Sequence, residues 1–243
     1  MSVGTGIRCF TQGLSDAGAK DARPYIAGPA LISLLIISTG LYFGFGYIDN
    51  LSLAMQNALP VWLDFLHVVL APLIYVLGIL VGAWLFGLLA TIIGSPFLGD
   101  LAQHTAEQLE GPDLTLPQIP WWQEIVPSLM REGRKLLYHL PRLAFLLIAS
   151  FIPLLNAIAP ALWLLFGAWM MAVQFCDYDS EIRRQPFQAT LSQLRQNRAA
   201  ALGFGACVTL CMSIPLLNFL VAPVAVIGGT ILMHTSRTQD SVA

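Results

Sequence analysis

The chain has 243 residues, of which 56% are hydrophobic and only 11% charged, with a mean hydropathy of +0.70; soluble domains carry about 25% charged residues, so an ordinary water-soluble domain is excluded. Twelve Lys and Arg against fourteen Asp and Glu leave a net charge of −2. The basic residues are scattered rather than massed with aromatics, so nucleic-acid binding has no footprint.

In chain order, residues 1–24 predict an amphipathic N-terminal helix, with Val3, Ile7, Phe10 and Leu14 on one face and Arg8, Gln12 and Asp16 elsewhere. The apolar run 25–48 exceeds the about 20 residues needed to cross a bilayer and is too long for a signal-peptide core. It predicts a first transmembrane helix. Residues 49–64 contain no Lys or Arg, which places this loop outside by the positive-inside rule. The run 65–93, interrupted by His67 and Pro72, predicts a second transmembrane helix. Its Gly78-x-x-x-Gly82 spacing offers a face for close helix approach.

Residues 94–142 hold no apolar stretch of membrane length. Gly94-Ser95-Pro96-Phe97 is expected to stop the span, Asp100 to Leu109 to form a polar helix, and Gly111-Pro112-Asp113 with Pro117 and Pro120 to link onward. Trp122, Ile125, Val126, Leu129, Leu136, Leu137 and Leu140 then recur at helical spacing opposite Arg131, Arg134 and Lys135. That pattern predicts an interfacial helix with its Trp pair at headgroup depth.

Two further runs are uncharged: 34 residues between Arg142 and Asp177, and 38 between Arg198 and Arg237. Two full spans and a turn need about 44 residues. Both runs are broken near the middle by one phrase, Ile152-Pro153-Leu154-Leu155-Asn156 then Pro160, and Ile214-Pro215-Leu216-Leu217-Asn218 then Pro223. Pro and Asn end a helix and turn the chain, so 143–176 and 199–236 are expected as re-entrant helical hairpins with arms of about 10–20 residues and tips at Asn156 and Asn218. Two strongly tilted, Pro-punctuated helices are the other reading. The expected architecture is an all-α integral membrane protein in one membrane domain: two full transmembrane helices, two hemi-penetrating hairpins and amphipathic interfacial helices. Both termini and all twelve basic residues then fall on one side, the cytoplasmic one.

No HExxH, GxSxG, P-loop or GxGxxG occurs, and no metal-ligand spacing. Cys9, Cys176, Cys207 and Cys211 read as small buried hydrophobes. Asp177, Asp179 and Glu181 are expected as solvated caps past a helix end. Broken half-penetrating hairpins without catalytic residues point to a channel or transporter that uses no cofactor or metal; a membrane scaffold and a membrane-embedded enzyme are the rival classes. Substrate sign is read at the helix entrances. Arg23-Pro24 opens the first span, and the N–H groups of Tyr25 and Ile26 have no intrahelical partner there, which makes an anion-binding arrangement. An interfacial arginine reaching for headgroups fits the same position. Pro96-Phe97 is a second candidate helix start. Asn156 and Asn218 are candidate hydrogen-bond donors at a constriction, or ordinary turn formers. His67 and His234 are candidate proton carriers.

Ala159-Pro160-Ala161-Leu162-Trp163 through Gln174-Phe175-Cys176-Asp177-Tyr178, Ile214-Pro215-Leu216-Leu217-Asn218 with Pro223-Val224-Ala225-Val226, Ser95-Pro96-Phe97 and Leu140-Pro141-Arg142 together resemble the bacterial CysZ sulfate permeases over nearly the whole chain. The resemblance implies a multi-pass inner-membrane protein, a homo-oligomer in the lipid bilayer, that admits sulfate for cysteine biosynthesis. Family members open the first span with a PG-[LI]-R-R-like phrase implicated in holding sulfate. Here the stretch is Lys20-Asp21-Ala22-Arg23-Pro24, so the implied role passes to Arg23 alone, with Lys20 as compensating charge. Pro24 removes a guanidinium and an N–H, and Asp21 adds a negative charge.

Overall fold

The computed structural model describes the chain other than residues 20–23, 25–26, 29–34, 36–37, 41, 49, 51–52, 55–63, 112–113, 115, 118–119, 215–217 and 243; at 64–69, 71, 83–96, 121–122, 124–125, 153–154, 218–219 and 240–242 it describes the helix backbone. The described residues are helical, in the order α1 (Val3–Ala17), α2 (Asp64–Glu110), α3 (Trp121–Ser150), α4 (Pro153–Asn156), α5 (Ala159–Ile182), α6 (Phe187–Gln196), α7 (Arg198–Met212) and α8 (Asn218–Val242). Two compact units contain them, one of Met1–Ile26 with Leu98–Ala243 and one of Ala27–Phe97.

In the smaller unit, one of the two glycines of the expected close-approach face meets a neighbouring side chain. A Cβ on Gly78 would lie 2.5 Å from Ile48 Cδ1, whereas Gly82 faces open space. The expected stop at Gly94-Ser95-Pro96-Phe97 does not occur. The α2 backbone is helical through these residues to Glu110, so the polar helix from Asp100 is the end of α2 and no helix starts at Pro96. Beyond Phe97 the helix is held by its burial in the larger unit, where Leu101, Ala102 and Ala106 are fully enclosed. That packing outweighs the local cost of one proline.

The larger unit is a bundle of α1, α5, α7 and α8 brought together through glycines. A Cβ on Gly6 would fall 1.9 Å from the Ala200 carbonyl oxygen, one on Gly13 2.6 Å from that of Val224, and one on Gly205 1.8 Å from that of Ala168. Gly229 meets the Phe175 carbonyl on the same terms, at 2.8 Å. Such backbone contact is how apolar helices associate where lipid offers no hydrophobic drive. It also resets the face of α1: Gly6, Cys9, Phe10 and Gly13 are buried, while Val3, Ile7 and Leu14 are exposed, so Phe10 is not on the face predicted for it. Cys9 and Cys176 are buried and Cys207 and Cys211 half-buried, all as free thiols.

The first hairpin departs from its predicted limits on both sides. α3 continues as one 30-residue helix through Pro127 and Pro141, so 142 is not an element boundary. The break comes at Phe151–Ile158, where Pro153 starts the single turn α4. Within it the N–H groups of Ile152, Leu155, Asn156 and Ile158 donate to Ala149, Ile152, Ile152 and Leu155. The turn therefore satisfies several of its own N–H groups, as irregular chain in an apolar medium requires. Trp163 Nε1 donates to Ser150 Oγ at 3.1 Å and ties the two arms.

The second arms are longer than the predicted 10–20 residues, 24 in α5 and 25 in α8. Ala159–Ile182 and Leu220–Gln239 are long and apolar enough to cross a membrane. α7, the first arm of the second hairpin, has 15 residues.

Candidate functional site

Lys20, Arg23, Tyr25 and Ile26, the predicted anion site, lie outside the described residues, as does His67's side chain. Around them the structure gives the end of α1 at Ala17, a helical Pro24, and Gly28, whose added Cβ would lie 3.6 Å from the Phe97 ring. A cavity of about 70 Å³ is lined in part by Asp16, Ala19, His104, Thr105 and Gln108. Asn156 is exposed at the tip of the first hairpin, beside Phe151 at 86% exposure, and its side chain makes no hydrogen bond among the described residues. Asn218 is the first residue of α8; its side chain lies outside the described residues.

The residues that the structure does assemble are charged and were expected elsewhere. Asp177 and Asp179 are not solvated caps. They lie inside α5, which ends at Ile182, and both are fully buried. Two positions along a helix are about 200° apart in azimuth, so the two carboxylates address different neighbours. Asp177 receives Arg131 Nε at 2.7 Å on Oδ2 and Nη2 at 2.6 Å on Oδ1, with Lys135 Nζ at 3.0 Å and the Thr190 hydroxyl donating at 2.7 Å. Arg131 Nη1 donates to the Gln185 carbonyl, and Ser128 to Glu181 at 2.6 Å. Burial alone would lower the Arg131 pKa; the bonds and charge of Asp177 more than offset this and raise it.

Asp179 faces the other way, to Arg237 of α8 and to Arg183 Nε at 3.3 Å. Both arginines also reach Glu110 at the end of α2, at 2.6 Å from Arg183 Nη2 and 3.2 Å from Arg237 Nη2, and His234 Nδ1 is 3.1 Å from the same carboxylate. Burial would push the Glu110 carboxyl up, but the hydrogen bonds from Arg183 and His234 and the two guanidinium charges hold it below its ordinary value. The cluster is a closed set of charge-assisted bonds across α2, α3, α5 and α8. Its guanidinia are engaged by carboxylates, so it braces the bundle rather than presenting a cation to an incoming anion.

α3 keeps its apolar and basic faces opposite one another, with most of the basic face turned to the protein. Arg131 and Lys135 point inward, Lys135 with its side chain only 3% exposed, while Val126, Leu129, Leu136, Leu137, Leu140 and Ile148 are exposed. Of the three cations opposite the apolar residues, Arg134 is exposed, Arg131 half-buried and Lys135 buried. The one available signal was the reciprocal spacing, Arg131 and Lys135 one turn apart on a helix that must find a carboxylate. Among the described residues no group of three or more His, Cys, Asp or Glu is placed to hold a metal ion.

Helices with apolar side chains turned outward and carboxylate–guanidinium pairs turned inward define an all-α integral membrane protein. The chain belongs to the family described as Sulfate transporter CysZ/Etoposide-induced protein 2.4, which it matches over residues 9–223, and this bears out the resemblance read from its motifs. It is 36% identical over 242 residues to the sulfate transporter CysZ of Pseudomonas fluorescens, covering 98% of this chain and 96% of that protein. It is 35% identical over 231 residues to that of Salmonella typhimurium, covering 93% and 90%, and 34% identical over 234 residues to that of Pseudomonas aeruginosa, covering 95% of each.

Proposed function

We propose that this protein carries sulfate across the bacterial inner membrane and supplies it to cysteine biosynthesis. The observation that carries this reading is the nearly end-to-end likeness, at 34–36% identity, to proteins named sulfate transporter CysZ. Sulfate is first held by Arg23 with the N–H groups of Tyr25 and Ile26, and Lys20 adds charge in place of the guanidinium lost at Pro24. The hairpin tips at Asn156 and Asn218 line the path that follows.

The loop 49–64 has no basic residue and the rest of the chain has twelve, which supports cytoplasmic termini. The 15 residues of α7 rise about 22 Å at 1.5 Å each, less than the about 30 Å of a hydrocarbon core. That length supports a partly penetrating second hairpin. The outward apolar face of α3 supports a homo-oligomer embedded in lipid.

An inside-negative potential opposes each entering negative charge by about 2.3 kcal/mol per 100 mV, so the dianion accumulates only with ion coupling or rapid consumption. Radiolabelled sulfate flux into liposomes holding the purified protein, with and without an imposed pH gradient, tests the reading. Protein-dependent sulfate entry is expected. No flux above empty liposomes under either condition removes the transport function, and flux that follows the proton gradient makes the path coupled rather than channel-like.

A further inference from the structure

Arg142 is the last charged residue before the 34 uncharged residues that lead to Asp177, so it stands where the chain passes from polar to apolar surroundings. Its guanidinium carbon lies 3.7 Å from the centroid of the Tyr138 ring, and Nη1 donates to the Tyr138 carbonyl. These contacts hold the group in place yet use one of the five N–H donors a guanidinium carries. Among the described residues no carboxylate pairs with it. Arg131, Lys135, Arg183 and Arg237 differ in this, since each is closed by an acid.

Beside Arg142 an open groove of about 510 Å³ runs between α3 and α5, lined by Pro141, Arg142, Phe145, Leu146, Leu162 and Phe166. Leu146 is buried and forms the floor; Phe145 is 68% exposed and forms an outer wall. Among the described residues of the lining, Arg142 carries the only charge. A small oxyanion needs donors on several sides to replace its water, and this groove gives it one charged corner and apolar walls. An amphiphile with a negative head and a hydrocarbon tail matches both parts.

We propose that the groove between α3 and α5 binds an anionic phospholipid, with the headgroup phosphate on Arg142 and an acyl chain laid along Phe145, Leu146, Leu162 and Phe166. The lipid bridges the two arms of the first hairpin at its entrance. Stacking on Tyr138 pre-positions the guanidinium, so a lysine at 142 keeps the charge and loses both the stack and the planar fork.

Trp163 reports on the site, because its ring centroid lies 6.2 Å from that of Phe166. With the other tryptophans replaced by Phe, the full-length protein is reconstituted in phosphatidylcholine vesicles with a minor fraction of phosphatidylglycerol, one lipid or the other carrying brominated chains. Brominated phosphatidylglycerol is expected to quench Trp163 more than an equal amount of brominated phosphatidylcholine. Arg142→Gln should reduce that preference on the order of tenfold, and Arg142→Lys should retain part of it. Equal quenching by the two lipids in the parent protein overturns the proposal, because lipid then surrounds the groove without headgroup selection. No quenching by either overturns it as well, because protein then covers the groove. Loss of the preference in sodium sulfate but not in sodium chloride of equal ionic strength assigns the site to a free oxyanion and also overturns it. Native mass spectrometry of the otherwise unaltered chain, taken from the same lipid mixture, gives a second reading independent of the tryptophan replacements. Phosphatidylglycerol adducts are expected on the parent protein and fewer on Arg142→Gln; equal adducts on both overturn the assignment.

Discussion

The carboxylate of Asp177 is clasped by the guanidinium of Arg131 through two parallel bonds of 2.6 and 2.7 Å, across 46 residues of chain, with the aspartate fully buried. Planar two-point pairing of this kind is the strong form of an ion pair. Its contribution to stability lies chiefly in what happens when one half is removed, since a buried charge without its partner costs several kcal/mol.

Asp177→Ala is therefore expected to destabilise the protein by about 3–5 kcal/mol, leaving Arg131 without its carboxylate and Lys135 with the half-exposed Glu132 alone. Asp177→Leu combined with Arg131→Met and Lys135→Met should be milder than the single change, because no buried charge is left unpaired and Glu132, which loses Lys135, is open to solvent. Thermal unfolding in detergent micelles, read by size-exclusion stability, checks the order. A triple variant less stable than the single one would mean that the cluster is held by more than its charges.

His139 supplies the pH dependence. Its imidazole is buried, stacked edge-on against Tyr138 and Phe166, and among the described residues neither nitrogen has a hydrogen-bond partner. Burial first, then the charges of Arg142 and Lys135, lower its pKa to about 4. An unfolded histidine titrates near 6.5, so the unfolded chain takes up the proton first. Stability from this site is complete above about pH 6.5 and is lost as the pH falls toward 4. Glu110, also depressed, loses its contribution only below the ordinary carboxyl range. Between pH 6.5 and 5 the unfolding temperature should fall in the parent protein and fall less in His139→Leu; parallel curves would sink the assignment.

The helix glycines of this chain are not equivalent. Gly205→Ala puts a methyl group 1.8 Å from the Ala168 carbonyl oxygen, so α5 and α7 must separate, and a loss of about 1–3 kcal/mol or more is expected. Gly82→Ala meets nothing within 4 Å and should stabilise α2 by about 0.5–1 kcal/mol. Yield and monodispersity of the two variants in the same detergent separate them.

At the anion site, Arg23→Ala should weaken sulfate binding by roughly ten- to a hundredfold, the loss of a charge-assisted contact of about 1.5–3 kcal/mol. Expression should barely change. Arg23→Lys should fall between, because the ammonium keeps the charge without the planar fork. Radiolabelled sulfate binding, normalised to folded protein, reads both. If Lys is fully equivalent and Ala alters only yield, Arg23 is an interfacial anchor.

Some of this molecule was readable residue by residue. Pro153 at the first hairpin turn and Gly78 against Ile48 behave as local sterics dictate. The helix stop at Gly94–Phe97 was misleading because breakers report local preference, and the burial of Leu101, Ala102 and Ala106 further along α2 is a tertiary fact. Asp177 and Asp179 were the hardest to place. A carboxylate at the end of an apolar run looks like a cap, and only the partners from α3 and α8, 46 and 58 residues away, reveal it as buried. The basic face of α3 is open in the same way: amphipathic periodicity finds two faces without saying which one water, lipid or protein will meet.

The two aspartates also set an order of assembly. Arg131 and Lys135 precede Asp177 in the chain and Arg183 follows Asp179 by four residues, so these pairs can close once α5 and the first turns after it exist. Arg237 is 58 residues beyond Asp179 and 127 beyond Glu110. Among the described residues, Arg183 is the cation that bonds both acids before α8 emerges. The last helix therefore completes a charge balance already half made, and a ribosome paused ahead of residue 237 holds a chain whose first hairpin is locked while Glu110 and Asp179 still share Arg183. Such an intermediate exposes an acidic pair toward the empty place of α8, and the arriving arginine gives that helix an electrostatic reason to seat in one register.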